Sequence, residues 1–187
     1  MTDKKTKDVT KKTKDAPKKT NGDASDEAGK IAAPGIQIHA QYVKDLSFEN
    51  PNSPESLLSN WGAPETNVQI NIRHRPIDGN VHEVLLVFRV QADNKEKKKT
   101  AFIIELAYGC TVTLNGVPEE NQQAVLMIEV PKLLFPFARE IMAKSSIQGG
   151  YPPLYLQPIN FEAIYVAEAK RQKEEKDKGS DKEKASA

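Results

Sequence analysis

The chain has 187 residues, 38% of them apolar, and a formal net charge of +1 at pH 7. Both averages combine unlike segments: residues 1–30 hold five apolar residues and residues 168–187 hold three, whereas every aromatic residue lies between Tyr42 and Tyr165. The segment between the tails is acidic, because residues 31–167 carry 14 Asp and Glu against 11 Lys and Arg. This distribution predicts one globular domain, residues 31–168, between two polar tails and argues against a basic, nucleic-acid-binding core.

The tail predicted at residues 1–30 repeats Lys, Thr and Asp and has little apolar surface to bury. Such a segment cannot offset the entropy lost on ordering, so we expect it to be disordered. It lacks the apolar stretch of a secretory signal, and the chain has no run of about 18 apolar residues that would span a membrane. Residues 169–187 are predicted to form a second, charged and flexible tail. We favour a solvating role for both tails, and a lysine-rich arm for nucleic acid or anionic lipid is the alternative for the first.

Apolar and polar residues alternate over residues 36–49, which predicts a half-buried first strand. The apolar parity comprises Ile36, Ile38, Ala40, Tyr42, Leu46 and Phe48. Asp45 and Glu49 have the other parity and are expected on the solvent side, together with Gln41. The residues Ser53-Pro54-Glu55 then predict a short helix with Ser53 as its N-cap.

Three further strands are predicted, over residues 68–73, 81–90 and 100–108. The lysine-rich loop at residues 93–99 is interpreted as the solvated tip of a hairpin. In the fourth strand the even positions form the stronger apolar face, and the odd positions are small or mixed. The even positions are Phe102, Ile104, Leu106 and Tyr108, and the odd ones include Ile103 and Glu105.

The strand pattern stops at Gly109, so residues 111–114 are predicted to be a separate extended piece. Helices are predicted at residues 118–130 and 133–147, the second ending at Gly149-Gly150. Asn160 is the expected N-cap of a last helix that continues to Ala169. Four strands followed by helices are typical of an α+β fold with an antiparallel sheet and helices on one side. The apolar residues exceed what one small sheet face buries, which indicates self-association.

Residues with catalytic chemistry are few. His39, His74 and His82 have no partner at helical spacing, and a single cysteine forms neither an internal disulfide nor a zinc site. Cys110 is therefore favoured as a structural residue, with a nucleophilic cysteine as the alternative. Glu119 and Glu120 fit the start of a helix better than a catalytic pair. The sequence predicts a binding protein without catalytic activity, metal or cofactor.

Four segments resemble the SecB family, the cytosolic protein-export chaperones of Gram-negative bacteria. They are YVKDLSFENPNSP at residues 42–54, PEE at 118–120, LLFPFARE at 133–140 and GYPPLYLQPINF at 150–161. The four stand in the family's order, and the resemblance covers about residues 36–168.

The resemblance implies a SecB-like fold that assembles as a homotetramer, a dimer of dimers. It implies a cytoplasmic chaperone that binds unfolded precursor proteins, keeps them competent for translocation and delivers them to the motor ATPase SecA. It implies neither an enzymatic activity nor a cofactor. A SecB-like chaperone of a toxin–antitoxin system, which has the same fold, is the alternative.

Site residues follow from the resemblance, position by position. The SecA-binding residues would be Asp45, Glu49, Ile103 and Glu105. The client groove would be lined by Trp61, Val68, Ile70, Phe102 and Phe161, for each of which ordinary core packing is the alternative. The subunit interface would comprise Ile104, Leu106 and Tyr108.

Overall fold

A four-stranded antiparallel sheet is the framework of the computed structural model, which describes residues 35–171. Its strands are β1 (Gly35–Glu49), β2 (Glu65–Asp78), β3 (Val81–Asn94) and β4 (Lys99–Asn115). They lie side by side in the order β1-β4-β3-β2, so β1 and β2 are the edge strands. The predicted sheet is confirmed. The tail predicted at residues 1–30 and most of that predicted at 169–187 lie outside the described residues.

The strand β4 continues without a break through Gly109, so the predicted separate piece at residues 111–114 is wrong. Gly109 pairs with Tyr42 on one side and with Leu85 on the other. A Cβ atom at this position would lie 2.4 Å from Leu85 Cδ2 and 3.0 Å from the Val84 carbonyl oxygen. The glycine is therefore a site of close packing inside the sheet and not the end of a strand.

Two irregularities in the pairing of β1 with β4 correct the predicted alternation of β1. Register shifts lie between Ile38 and Ala40 and between Val43 and Asp45. Because each extra residue reverses the side on which the following residues lie, Gln41 and Val43 share the side of β4 that carries buried Cys110 and Tyr108. Ala40 lies opposite Thr111 and Tyr42 opposite Gly109, both on the other side of the sheet.

The two helices predicted at residues 118–130 and 133–147 form one continuous helical segment. It begins as α1 (Glu119–Ala124), passes through a π-helical turn (Val125–Glu129) and continues as α2 (Val130–Gln148). Pro131 has no N–H to donate to a carbonyl one turn earlier, and its ring crowds that turn. The wider π-helical turn directly before it accommodates the proline without ending the helix. The helix ends as predicted, with Gly149 as C-cap and Gly150 at a φ of 89°.

The remaining helical elements are short or lie at the end of the described residues. A 3-10 helix spans Glu55–Leu57, with Pro54 as its N-cap and no side-chain cap bond, so the capping role predicted for Ser53 is wrong. The last helix, α3, covers residues 161–171. Asn160 Oδ1 accepts a hydrogen bond from the Ala163 N–H at 2.9 Å, which confirms Asn160 as its cap.

The core lies between α2 and one side of the sheet. Tyr108 of β4 stacks on Phe137 of α2 at a centroid distance of 6.4 Å, and Phe88 of β3 lies 6.4 Å from Phe135. These pairs identify the side that carries the even-numbered residues of β3 and β4 as the helix face. The opposite side, with the odd-numbered residues of those two strands, is called the open face below.

Candidate docking and client-binding surfaces

The four residues predicted to bind SecA lie together on the open face. Glu49 is paired with Ile103, and Asp45 is paired with Ala107, while Glu105 lies between them opposite Ser47. Residues two apart along a strand are about 7 Å apart and point to the same side. The structure thus places three carboxylates in a row on neighbouring strands at one edge of the sheet, with Glu105 between Asp45 and Glu49 and Ile103 beside Glu49.

The three carboxylates differ in their electrostatic surroundings. Glu105 forms an ion pair with Arg89 of β3, whereas no cation of the described residues 35–171 pairs with Asp45 or Glu49. Both of the latter are exposed on the edge strand β1. Asp45 and Glu49 are therefore the carboxylates of this group that are free to attract a positively charged partner.

A second charged group on the open face centres on Glu83, which the sequence analysis overlooked. Its carboxylate accepts hydrogen bonds from Tyr42 Oη at 2.5 Å, Lys44 Nζ at 2.8 Å and Arg75 Nε at 2.6 Å. The bonds from Lys44 and Tyr42, and then that from Arg75, lower the pKa of Glu83 to about 2. Burial and the bond to Glu83 raise the pKa of Tyr42 to about 12. A charged residue inside the apolar stretch at 81–90 was the signal available in the sequence.

The residues predicted to contact another subunit lie inside the core of one chain. Ile104, Leu106 and Tyr108 are 0%, 1% and 7% exposed and lie on the helix face beneath α2. These side chains have almost no surface left for direct contact with a second copy, and their assignment to a subunit interface stays a prediction. An apolar strand face and an apolar interface have the same pattern in sequence, and the structure assigns these three residues to the face that α2 covers.

A different apolar patch remains exposed where β1 meets α2. It comprises Val43, Leu46, Leu133 and Phe137, each of which is nearly half exposed. Val43 pairs with Tyr108, which stacks on Phe137, so the four residues border one another along the same edge. We call them the edge patch. The β1 register shifts turn Val43 to this side, and the sequence pattern alone did not indicate it.

The predicted client-groove residues divide into buried and accessible ones. Phe102 packs against Tyr151 at 4.6 Å and stacks on Phe48 at 5.8 Å, and Phe161 meets the edge of Phe135 at 6.0 Å. Both are buried and pack as core residues in this chain. Val68 is exposed and Ile70 half-buried on the edge strand β2, both on the helix face.

Trp61 forms a wall of a surface cavity of about 340 Å³. The lining consists of Glu55, Leu58, Asn60, Trp61, Lys97 and Lys99, and it is called the Trp61 cavity below. The segment that carries Trp61 is fixed by side-chain bonds: Asn94 Nδ2 donates to the Trp61 carbonyl, and Asn52 Nδ2 donates to the Thr100 carbonyl at 2.8 Å. The cavity is therefore built on the β3–β4 hairpin and not on a freely moving loop.

Exposed apolar side chains surround this region. Leu57, the last residue of the 3-10 helix, and Leu58 after it are exposed, as is Val68. Leu57 also packs closely against Gly150 at the end of α2. A Cβ atom added to Gly150 would lie only 3.2 Å from Leu57 Cδ2. Ser56 shares a hydrogen bond of 2.7 Å with the Tyr151 hydroxyl, which ties the two segments together. The arrangement offers a strip of apolar surface next to the Trp61 cavity.

A second cavity, of about 390 Å³, lies between α2 and the extended segment after it. Its lining comprises Pro136, Arg139, Glu140, Ala143, Lys144, Ile147 and Tyr155. The Arg139 guanidinium lies 5.8 Å from the centre of the Tyr155 ring. This cavity was not predictable from the sequence. The α2 residues that line it are spaced as on any exposed helix face, so their pattern does not indicate a cavity.

The described residues 35–171 contain no group of three or more His, Cys, Asp or Glu positioned to hold a metal ion. Cys110 is completely buried, and burial raises the pKa of its thiol to about 11. A buried neutral thiol is a poor nucleophile, which argues against the alternative of a catalytic Cys110. His39 bonds to Thr113 at 2.7 Å. Within the same residues, no helix is long and apolar enough to cross a membrane.

The family model described as preprotein translocase subunit SecB matches residues 29–172. The chain belongs to the SecB family. It is 46% identical over 131 residues to the protein-export protein SecB of Rhodospirillum centenum, covering 70% of this chain and 77% of the relative. It is 41% identical over 153 residues to the SecB of Granulibacter bethesdensis, covering 79% of this chain and 90% of that protein.

Among solved structures, the SecB-like chaperone of Mycobacterium tuberculosis in complex with a peptide from an antitoxin has the same fold. The TM-score is 0.55 at 12% identity, over 67% of this chain and 91% of that one. The likeness to this structure concerns the fold alone. The close SecB relatives support the predicted protein-export chaperone and do not favour the toxin–antitoxin alternative.

Proposed function

We propose that this SecB chain binds unfolded precursor proteins in the cytoplasm, keeps them competent for translocation and delivers them to the motor ATPase SecA. The observation that carries the proposal is the separation of two surfaces. Exposed apolar side chains and the Trp61 cavity lie along β2 and the segment that connects β1 with β2. The carboxylates Asp45 and Glu49 lie on the open face of the other edge strand, β1.

The apolar surface suits an extended, non-native segment. Leu58 and Val68 offer exposed apolar contact, and Trp61 provides the wall of a cavity large enough for a client side chain. Strand β2 is also an edge of the sheet, and an edge strand has backbone groups available to a further extended chain. Binding through apolar burial and backbone contacts reads few side chains, so client specificity is low.

A homotetramer, arranged as a dimer of dimers, multiplies these weak sites. A client long enough to reach several subunits gains affinity from simultaneous contacts. The edge patch is the surface of this chain that fits such an assembly, because self-association would bury its four apolar side chains. The unpaired edge of β1 adjoins it.

Recruitment of SecA is proposed to occur on the open face through Asp45, Glu49, Ile103 and Glu105. The carboxylates attract a basic segment of the motor, and Ile103 supplies an apolar contact among them. Attraction between exposed charges is screened by salt, so this contact should weaken as the ionic strength rises. The chain itself performs no chemical step in the proposed role.

A refolding experiment tests the client-binding function. A slowly folding precursor is diluted from denaturant with and without the chain, and the recovery of its native fluorescence is followed. Holding by the chaperone predicts slower recovery at stoichiometric amounts and no effect on the precursor once folded. Recovery at an unchanged rate, with no complex detected, would refute client holding.

A further inference from the structure

The second bulge of β1 places two consecutive residues of opposite charge on the open face. Lys44 is the extra residue of that bulge and directly precedes Asp45. Consecutive residues of a regular strand point to opposite sides of the sheet, and a bulge interrupts this alternation. Asp45 lies opposite Ala107 on the open face, and the Lys44 ammonium group reaches Glu83 on the same face. A cation therefore stands next to one of the two unpaired carboxylates of this face.

Glu83 draws the Lys44 ammonium group away from Asp45. Lys44 Nζ donates a hydrogen bond to Glu83 Oε1 at 2.8 Å. Glu83 pairs with Thr111 of β4, whereas Asp45 pairs with Ala107 of the same strand. Four residues along a strand span about 13 Å, so the Glu83 position is well separated from that of Asp45. The cation is thus directed toward the end of the open face that lies farther from the docking carboxylates.

Glu83 is a stronger acceptor for this cation than an exposed carboxylate is. Its side chain is 5% exposed, and its bonds to Lys44, Tyr42 and Arg75 lower its pKa to about 2, so it is ionised at neutral pH. Charges that water reaches poorly attract one another more strongly than fully exposed ones, because the local dielectric is lower. The Lys44 ammonium group therefore stays on Glu83 in preference to the exposed Asp45.

We propose that Glu83 is a positioning residue for SecA docking, which holds Lys44 away from Asp45 and so keeps the Asp45 carboxylate free for a basic segment of the motor. This inference rests on the docking role proposed above for the acidic residues of the open face. Without the Glu83 charge, the Lys44 ammonium group is released beside Asp45 and can pair with its carboxylate. Such a pair occupies the docking carboxylate from within the chain, and the released charge repels a basic partner.

The pairing of charges on the open face agrees with this role. Three cations of that face are held by carboxylates of the same face: Arg89 by Glu105, and Lys44 and Arg75 by Glu83. Glu83 thus engages two cations with a single carboxylate. Asp45 and Glu49 are left without a cationic partner among residues 35–171, and their charges remain available to a partner protein.

Binding of SecA to four forms of the full chain tests the proposal. Calorimetry at low salt measures the affinity of SecA for the unaltered chain, for Glu83→Gln, for Glu83→Gln combined with Lys44→Met, and for Glu162→Gln. The last is the matched control, because Glu162 of α3 also holds a lysine, Lys132, at 2.5 Å, and its replacement changes the net charge by the same amount. Circular dichroism verifies that each variant is folded before the titration.

Glu83→Gln should weaken SecA binding by about twofold to fivefold, the range expected when one exposed charge contact is lost. Adding Lys44→Met should restore most of the affinity, because it removes the released cation and returns the net charge to that of the unaltered chain. A role of Glu83 confined to the stability of the fold does not produce this recovery, since the second substitution gives back no contact that the first removed. Glu162→Gln should bind like the unaltered chain.

Two kinds of contrary result are distinguishable. An unchanged affinity in Glu83→Gln, no recovery in the double variant, or an equal loss in Glu162→Gln would overturn the positioning role of Glu83 and leave docking on the open face intact. Failure of the unaltered chain to bind SecA would refute the docking function itself, and this inference with it.

Discussion

Glu83 joins three of the four strands on the open face. Tyr42 and Lys44 reach it from β1 and Arg75 reaches it from β2, across the part of β4 where Gly109 has no side chain. The carboxylate is nearly inaccessible to solvent, whereas the Lys44 and Arg75 side chains are exposed beyond one third. A buried carboxylate with three donors is stable only while all of them remain in place.

Replacement of Glu83 by glutamine is expected to destabilise the fold by about 1–3 kcal/mol at pH 7, since it removes the buried charge and puts an NH2 group, which cannot accept, in place of one of the two oxygens that bind Tyr42, Lys44 and Arg75. Urea unfolding of Glu83→Gln and the unaltered chain measures the difference. Glu96→Gln, an exposed position at the hairpin tip, is the control and should change stability by less than about 0.5 kcal/mol.

The pH dependence of the same comparison follows from the lowered pKa of Glu83. Its value in the fold is about 2, below the ordinary 4.5, so the fold favours the ionised form. The stabilisation is fully present above pH 4.5 and is lost as the pH falls toward 2. The difference between Glu83→Gln and the unaltered chain should shrink over that interval. A difference that is independent of pH there would contradict the ionised, bonded carboxylate.

Reversal of the charge at Asp45 separates docking from client holding. Asp45→Lys should weaken SecA binding by about tenfold at low salt, because a carboxylate free of other ion pairs becomes a like charge toward a basic segment. Client holding should be unaffected, since the accessible groove residues lie around the opposite edge strand. Calorimetry with SecA and the refolding assay measure the two activities.

Glu120→Lys, an exposed carboxylate of α1, is the control for that comparison. Equal loss of SecA binding in both variants would mean that overall charge matters and not the open-face group. Equal loss of docking and client holding in Asp45→Lys would mean that the residue supports the fold.

The local patterns of the strands and helix ends were predictable because they depend on neighbouring residues. Alternation identified all four strands, and glycine and asparagine marked the end of α2 and the start of α3. The bulges in β1 were not predictable, because they depend on how β1 pairs with a strand distant in sequence, where His39 and Lys44 are extra residues opposite no position of β4. Their effect extends to function, since they turn Val43 toward the edge patch and Tyr42 toward Glu83.

The two predicted helices are joined because packing against the sheet outweighs the tendency of Pro131 to end a helix, and this outcome is not visible in the sequence. Pro131 lies between the helices predicted at residues 118–130 and 133–147, and a proline at such a place normally indicates a helix boundary. The π-helical turn and the packing of Leu134 and Ala138 against the sheet keep the segment continuous instead. The placement of Asp45, Glu49 and Glu105 on one face was predictable, because charge and strand parity agreed, and their role in docking stays a prediction. For apolar residues such as Leu106, the pattern in the sequence does not separate the core from an interface.

The edge patch provides a prediction at the scale of the assembly. Leu133→Asp places a charge where the proposed self-association would bury an apolar group, and the proposed tetramer should therefore dissociate into smaller species. Sedimentation velocity measures the change. Val166→Asp, a half-exposed position of α3, is the matched control and should leave the subunit number unchanged. A Leu133→Asp chain with the same sedimentation coefficient as the unaltered one would exclude this patch from the subunit contact.

Across the whole molecule, surfaces of different charge and polarity lie at different places on the sheet, and the overall composition conceals them. The near-neutral charge of the chain contains an acidic group at Asp45 and Glu49 and a basic hairpin tip beside Trp61. The exposed apolar residues include the edge patch and, in and before β2, Leu57, Leu58 and Val68. A chaperone that assembles, holds a client and recruits a motor needs distinct surfaces: the edge patch and the acidic group lie on opposite faces of the β1 edge, and the Trp61 cavity lies at the β3–β4 hairpin.

Native mass spectrometry of the 187-residue chain with one secretory precursor, supplied either unfolded or folded, is the decisive experiment. Client holding by a SecB tetramer predicts a complex of four chains with one unfolded precursor and no complex with the folded form. A monomeric chain, or equal binding of folded and unfolded precursor, would contradict it.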